Sequence, residues 1–150
     1  MKALLQRVTR GSVTIDNQTV GAIDTGLVVL LGVRHGDSFT DATTLATKTL
    51  KLRIFPDERD RMHHSVVDIQ GSILVISQFT LYADTRKGLR PGFNDAAAPT
   101  LANECYDAYI AALRKEIGHD RVHTGRFGAD MSVEIINDGP VTIELTTDPI

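Results

Sequence analysis

The chain has 150 residues, and its 16 Lys plus Arg against 19 Asp plus Glu leave a formal charge of −3. Apolar residues make up 42% and charged residues 23%, ordinary globular proportions that exclude a disordered tail or a coiled coil. The acidic balance argues against a broad phosphate-binding surface and leaves room for a local basic patch, while the single cysteine, Cys105, excludes an internal disulfide and a Cys-rich zinc site and fits a reducing, cytoplasmic setting.

Met1 to Arg7 carries no signal-peptide core, because Lys2, Gln6 and Arg7 interrupt it. The longest apolar run, Leu27–Leu31, falls far short of the roughly 20 residues of a membrane span. No repeat, low-complexity stretch or linker divides the chain, so residues 1–150 are expected to form one domain. Ser12–Asp16 and Thr19–Ile23 alternate like strands around an Asp16-Asn17 turn, and Leu27–Val33 reads as a strand buried on both faces. Ser38 and Asp41 have the spacing of a capping box. They open a helix that puts Ala42, Leu45, Ala46, Thr49 and Arg53 on its buried face, with Leu50 and Leu52 at the margins, and stops before Pro56. Ile73–Ile76 is a short apolar strand entered through Gly71, followed by Ser77-Gln78-Phe79-Thr80 and a basic segment to Asn94. A second helix starts at Pro99, buries Ala102, Cys105, Tyr106, Tyr109, Ala112 and Leu113, and is capped by Gly118. Met131, Val133 and Ile135, then Val141, Ile143 and Leu145, alternate on either side of Asn137-Asp138-Gly139-Pro140, which predicts a hairpin. The pattern is that of a mixed α/β domain with a layered sheet.

Familiar catalytic patterns are missing. None of the five histidines stands in an HExxH or comparable spacing, and His63 and His64, adjacent on a strand, are expected on opposite faces. No Gly-x-Ser-x-Gly elbow, Walker loop or dinucleotide fingerprint occurs. Cys105 falls on the apolar face of its helix, as a core cysteine does. Two segments remain. Ser77-Gln78-Phe79-Thr80 puts polar side chains directly after a buried strand, where free backbone N–H groups can receive an oxyanion; an ordinary strand edge has the same composition. Asn137-Asp138-Gly139-Pro140 reads first as a turn, and a Gly-Pro tip can also present carbonyl oxygens in a fixed direction.

These two segments stand in order with Gln6-Arg7-Val8, Gly26-Leu27, Gly32-Val33, Leu52-Arg53-Ile54-Phe55, Ser77–Asp84, Thr124–Met131 and Asn137–Thr142. In that combination the chain resembles the D-aminoacyl-tRNA deacylases over nearly its whole length. The resemblance implies an α/β fold with a mixed, barrel-like sheet and two main helices, no cofactor and no metal. It implies hydrolysis of the ester joining a D-amino acid to the end of tRNA. Gln78, Phe79 and Thr80 would hold the ester and stabilise the oxyanion, and Ser77 and Met131 would line the pocket, although Met131 also suits a core strand. Gly139-Pro140 would be a cis bond whose carbonyls exclude an L side chain, reaching into the partner's pocket across a homodimer, with Arg7 in support. Glycine, lacking a side chain, would escape this filter. Arg86, Lys87 and Arg90 would meet tRNA phosphates, and neither a membrane nor DNA is an expected partner. Thr80 is a weak nucleophile without a base, so activation of water with help from the tRNA 2′-hydroxyl is the preferred mechanism. The chain reads Arg90-Pro91-Gly92-Phe93 where the family commonly has Arg-Pro-Ser-Phe. A non-catalytic tRNA- or amino-acid-binding module on the same fold, and an unrelated hydrolase using Thr80 or Ser77, are the competing readings.

Overall fold

A computed structural model describes residues 1–149. The chain opens in a 14-residue strand, β1 (Lys2–Ile15), which begins earlier than the alternation at Ser12 suggests. Ala3 and Leu5 are its first inward residues, fully buried two apart. Asp16 and Asn17, both at positive φ (50° and 63°), make a two-residue turn to β2 (Gln18–Ile23). That geometry matches the right-handed twist of a hairpin. β3 (Gly26–Gly32) runs antiparallel to the first half of β1 and parallel to β6 (Ser72–Ser77). Between them lie helix α1 (Phe39–Lys51) and a small antiparallel pair, β4 (Phe55–Pro56) with β5 (Met62–His64). The Ser38/Asp41 capping box is formed. Arg53 lies beyond the end of α1 and is exposed, and Leu50 takes a place on the buried face instead. The rings of His63 and His64 meet edge-on at 5.1 Å rather than diverging to opposite faces.

Helix α2 (Pro99–Ile117) starts at Pro99 and ends at Gly118, whose φ of 90° suits glycine. β7 (Val122–Thr124) adds to β6 in parallel. The sheet order is β2-β1-β3-β6-β7, with β8 (Ser132–Thr146) paired along the other side of β1. β2 and β7, at its two ends, come together where a side-chain carbon at Gly21 would lie 2.8 Å from the Thr124 carbonyl. The sheet is therefore a nearly closed, barrel-like layer.

Both helices pack on one face, where Leu5, Leu27, Val29, Ile73 and Val75 meet Leu45, Tyr109 and Leu113. Tyr109 is fully buried, and its hydroxyl lies 2.8 Å from that of Thr49, which also donates to the Leu45 carbonyl. Cys105 is buried in this core, and burial pushes its thiol pKa up, as a structural cysteine requires. Val8, Val13, Val28, Leu74 and Ile76 form a second cluster on the opposite face. Among the described residues, no helix is long and apolar enough to cross a membrane.

β8 overturns the predicted hairpin. Both of its halves pair with β1 in one direction, Asn137 opposite Val8 and Thr142 opposite Gln6. The four residues between, Asp138 to Val141, swing out opposite Arg7 alone. Alternation on both sides of a turn signal is equally the pattern of one long strand carrying a bulge. β1 is long enough to pair with both halves, which removes any need for them to pair with each other.

Candidate active site

The first part of the site is the end of β6. Gln78 N–H makes the last rung to β3, donating to the Leu31 carbonyl at 2.7 Å. The chain then tightens into a 3₁₀ turn, Phe79–Tyr82, closed by Leu81 N–H on the Gln78 carbonyl at 3.3 Å. The first N–H groups of such a turn have no internal acceptor. Those of Phe79 and Thr80 find none among the described residues, whereas that of Gln78 is already taken. The Gln78 amide nitrogen donates to the Thr80 hydroxyl oxygen. The Phe79 ring is 57% exposed and meets Phe93 edge-on at 4.9 Å.

Ser77, Gln78 and Phe79 edge a cavity of about 440 Å³ whose walls include Leu31, Phe93, Ala102, Tyr106 and Phe127. Its lining is largely apolar, which suits an aromatic or aliphatic group with polar chemistry confined to one edge. Tyr106 fixes one wall by donating to the Val75 carbonyl at 3.1 Å, and burial pushes its phenol up to about 12. Met131 does not line this cavity. It lies just before β8 and packs, partly buried, against the second cluster.

The second part is the excursion in β8. The Gly139-Pro140 bond is cis and Gly139 has φ of 122°, a region L-residues avoid. Arg7, only 9% exposed, braces it: Nε donates to the Asp138 carbonyl at 3.2 Å and Nη1 to the Ile54 carbonyl at 2.6 Å. The Asp138 carboxylate lies 3.4 Å from the same Nε. Gln6 clamps both ends of the excursion, its Oε1 accepting from Asn137 Nδ2 at 2.8 Å and from the Thr142 hydroxyl. No role for Gln6 is legible in the sequence, because the clamp exists only once the two halves of β8 flank β1. Gly139 and Pro140 are exposed and do not line the cavity of their own chain.

The basic segment is a loop closed by Asp84 and Gly92, which exchange backbone hydrogen bonds of 2.7 and 2.9 Å. Arg86, Lys87 and Arg90 are exposed on it, together with a fully exposed Leu89. Arg86 is tied to Asp84 through two contacts of 2.8 Å. That pairing holds the Asp84 carboxyl well below the usual carboxylate range. Lys87 and Arg90 make no ion pair among the described residues.

A nearly closed sheet with two helices on one face is also the fold of known proteins, and comparison with them gives the family. The family model for D-Tyr-tRNA(Tyr) deacylase matches residues 4–146. The D-aminoacyl-tRNA deacylase of Teredinibacter turnerae is 52% identical over 145 residues, covering 97% of this chain and 99% of that protein. The deacylase of Herpetosiphon aurantiacus is 54% identical over 147 residues, covering 98% and 95%. A solved structure of a c-Myc DNA unwinding element binding protein superposes with a TM-score of 0.94 at 42% identity, over 99% of this chain and 100% of that one. A probable eukaryotic D-amino acid tRNA deacylase shares the fold at 17% identity, with a TM-score of 0.85 over 96% and 97%. The chain belongs to the D-Tyr-tRNA deacylase family, a family of hydrolases.

Proposed function

We propose that the protein, working as one domain of 150 residues, hydrolyses the ester of D-aminoacyl-tRNA and of glycyl-tRNA while sparing L-aminoacyl-tRNA. The observation that carries the chemistry is the pair of unpartnered N–H groups on Phe79 and Thr80 beside an apolar cavity. Attack on the ester carbonyl creates an oxyanion, and donors already aimed at that position lower the barrier by about 3 kcal/mol each. Ser77 and Gln78 frame the approach.

Among the described residues the Thr80 hydroxyl has one hydrogen-bond partner, the Gln78 amide nitrogen, a donor that cannot take its proton. This supports water as the attacking group, oriented by the substrate's 2′-hydroxyl. Thr80→Ala is therefore expected to keep activity within about tenfold, and a D-tyrosyl-tRNA ending in 2′-deoxyadenosine to lose about 100-fold or more. Single-turnover release of D-tyrosine measures both. A folded, tRNA-binding Thr80→Ala protein with no activity, acting beside an unaffected deoxy substrate, reverses the assignment. Wild-type protein that releases D-tyrosine no faster than buffer does would make it a binding module.

Stereochemical choice falls to Gly139 and Pro140. The proposed arrangement is a homodimer in which each excursion enters the other chain's cavity, consistent with its exposure and its absence from the cavity of its own chain. Carbonyl oxygens fixed there exclude an L side chain, and nothing needs to recognise the D side chain. Lys87 and Arg90, with Arg86 held against Asp84, would contact phosphates of the acceptor end.

A further inference from the structure

The motif Thr124-Gly125-Arg126-Phe127-Gly128-Ala129 has no part in the chemistry above except the Phe127 wall. It forms a turn, Ala129 N–H donating to the Arg126 carbonyl at 3.2 Å with Gly128 at a φ of 76°. The turn sends Phe127 toward Tyr106, at a ring separation of 5.9 Å, and leaves Arg126 exposed beside it. On the far side of Tyr106 and Phe127, which also wall the apolar cavity, lies a second hollow of about 760 Å³. Arg114, Arg126, Asn103 and Thr124 line it, with Asp107 as the one acidic group.

Five of the chain's arginines, Arg7, Arg10, Arg34, Arg61 and Arg86, are paired with carboxylates. Arg114 and Arg126 make no ion pair among the described residues, even though Asp107 lines the same hollow. Arg114 directs Nη2 to the Val122 carbonyl at 3.1 Å, and its buried Nε has no acceptor among the described residues. A buried guanidinium N–H left without an acceptor is costly unless a ligand supplies one. Two unpaired guanidiniums with an amide and a hydroxyl form a donor set suited to a phosphodiester, and guanidinium suits it better than ammonium.

We infer that this second hollow binds the sugar-phosphate strand immediately preceding the terminal nucleoside of tRNA, with Arg126 and Arg114 as its phosphate ligands. The inference rests on the deacylase reading, which places the terminal nucleoside ester in the adjoining cavity. The shared Tyr106–Phe127 wall is the divider over which the strand passes.

Calorimetric titration of the full-length protein with the trinucleotide CCA and with adenosine alone tests it. Arg126→Ala is expected to weaken CCA about tenfold and to lower the slope of log affinity against log salt by about one, leaving adenosine unchanged. Arg114→Gln, which retains an amide for the Val122 carbonyl, is expected to weaken CCA in the same way; thermal unfolding reports whether the fold survives. Equal affinity of parent and Arg126→Ala for CCA, equal weakening of both ligands, or no CCA binding by the parent overturns the inference. Arg126-dependent CCA binding by a protein that releases no D-amino acid would sink the deacylase reading and leave this site standing.

Discussion

Replacing Gly139 with alanine is expected to reduce the preference for D- over L-tyrosyl-tRNA by about 100-fold, the scale of loss from a misplacement near 1 Å, while the protein stays folded. A methyl group there would stand 2.8 Å from Val141 Cγ2 and 3.1 Å from an Arg7 guanidinium nitrogen, on a backbone at φ of 122°. Neither neighbour retreats freely. Val141 packs partly on the main core, and Arg7 is held by the carbonyls of Ile54 and Asp138. The excursion is exposed and stands outside the main ladder, so relief comes from re-aiming the Gly139 and Pro140 carbonyls rather than from unfolding. Arg7→Ala should reproduce the loss from below, and should also cost about 1–3 kcal/mol by leaving the buried Ile54 carbonyl unpaired. Arg7→Lys should restore little, because one ammonium cannot span both carbonyls as the guanidinium fork does. Relative rates on matched D- and L-tyrosyl-tRNA decide the matter; a folded Gly139→Ala enzyme with an intact preference removes the loop from the selection.

The largest effect on stability is expected at Gly26. It pairs with Ser72 where β3 and β6 run side by side in the middle of the sheet, and a side-chain carbon would overlap the Ser72 carbonyl oxygen. Backbone is the obstacle, so no rotamer relieves it. Gly26→Ala is expected to lose at least about 3 kcal/mol, and with it about 6–12 °C of thermal midpoint. Gly92 is the contrast. It lies in the Asp84 bridge, and among the described residues an added carbon meets only the Asp84 carbonyl, at 3.9 Å. Gly92→Ser, which makes the segment Arg-Pro-Ser-Phe, should stay within about 0.5 kcal/mol of the parent. Thermal melts of the two variants beside the parent measure this. A Gly26→Ala protein as stable as the parent would mean that the two strands separate there without penalty.

Elements carried by local chemistry are legible in the sequence. The Ser38/Asp41 cap, the Pro99 start, the Gly118 end and the apolar run of β3 each rest on residues within a few positions of one another. What is not legible depends on pairing across the chain. Turn chemistry at Asn137-Asp138-Gly139-Pro140 suggests a hairpin, and only the length of β1 makes it a bulge in one strand. The Ser77–Thr80 segment stands out because polar residues follow a buried strand directly. The state of its N–H groups, taken at Gln78 and without partners at Phe79 and Thr80, is decided by the last rung to β3. Gln6 and the Arg114/Arg126 hollow carry no local signature, since their partners lie more than 100 residues away or on another element.

The measurement that tests the central claim most directly is the rate of deacylation of D-tyrosyl-, L-tyrosyl- and glycyl-tRNA by the purified protein under one set of conditions. The proposed selection, in which the Gly139 and Pro140 carbonyls exclude only an L side chain, predicts rapid release of D-tyrosine and glycine with L-tyrosine untouched. Hydrolysis of L-tyrosyl-tRNA at a comparable rate, or glycyl-tRNA left intact beside rapid release of D-tyrosine, would contradict it.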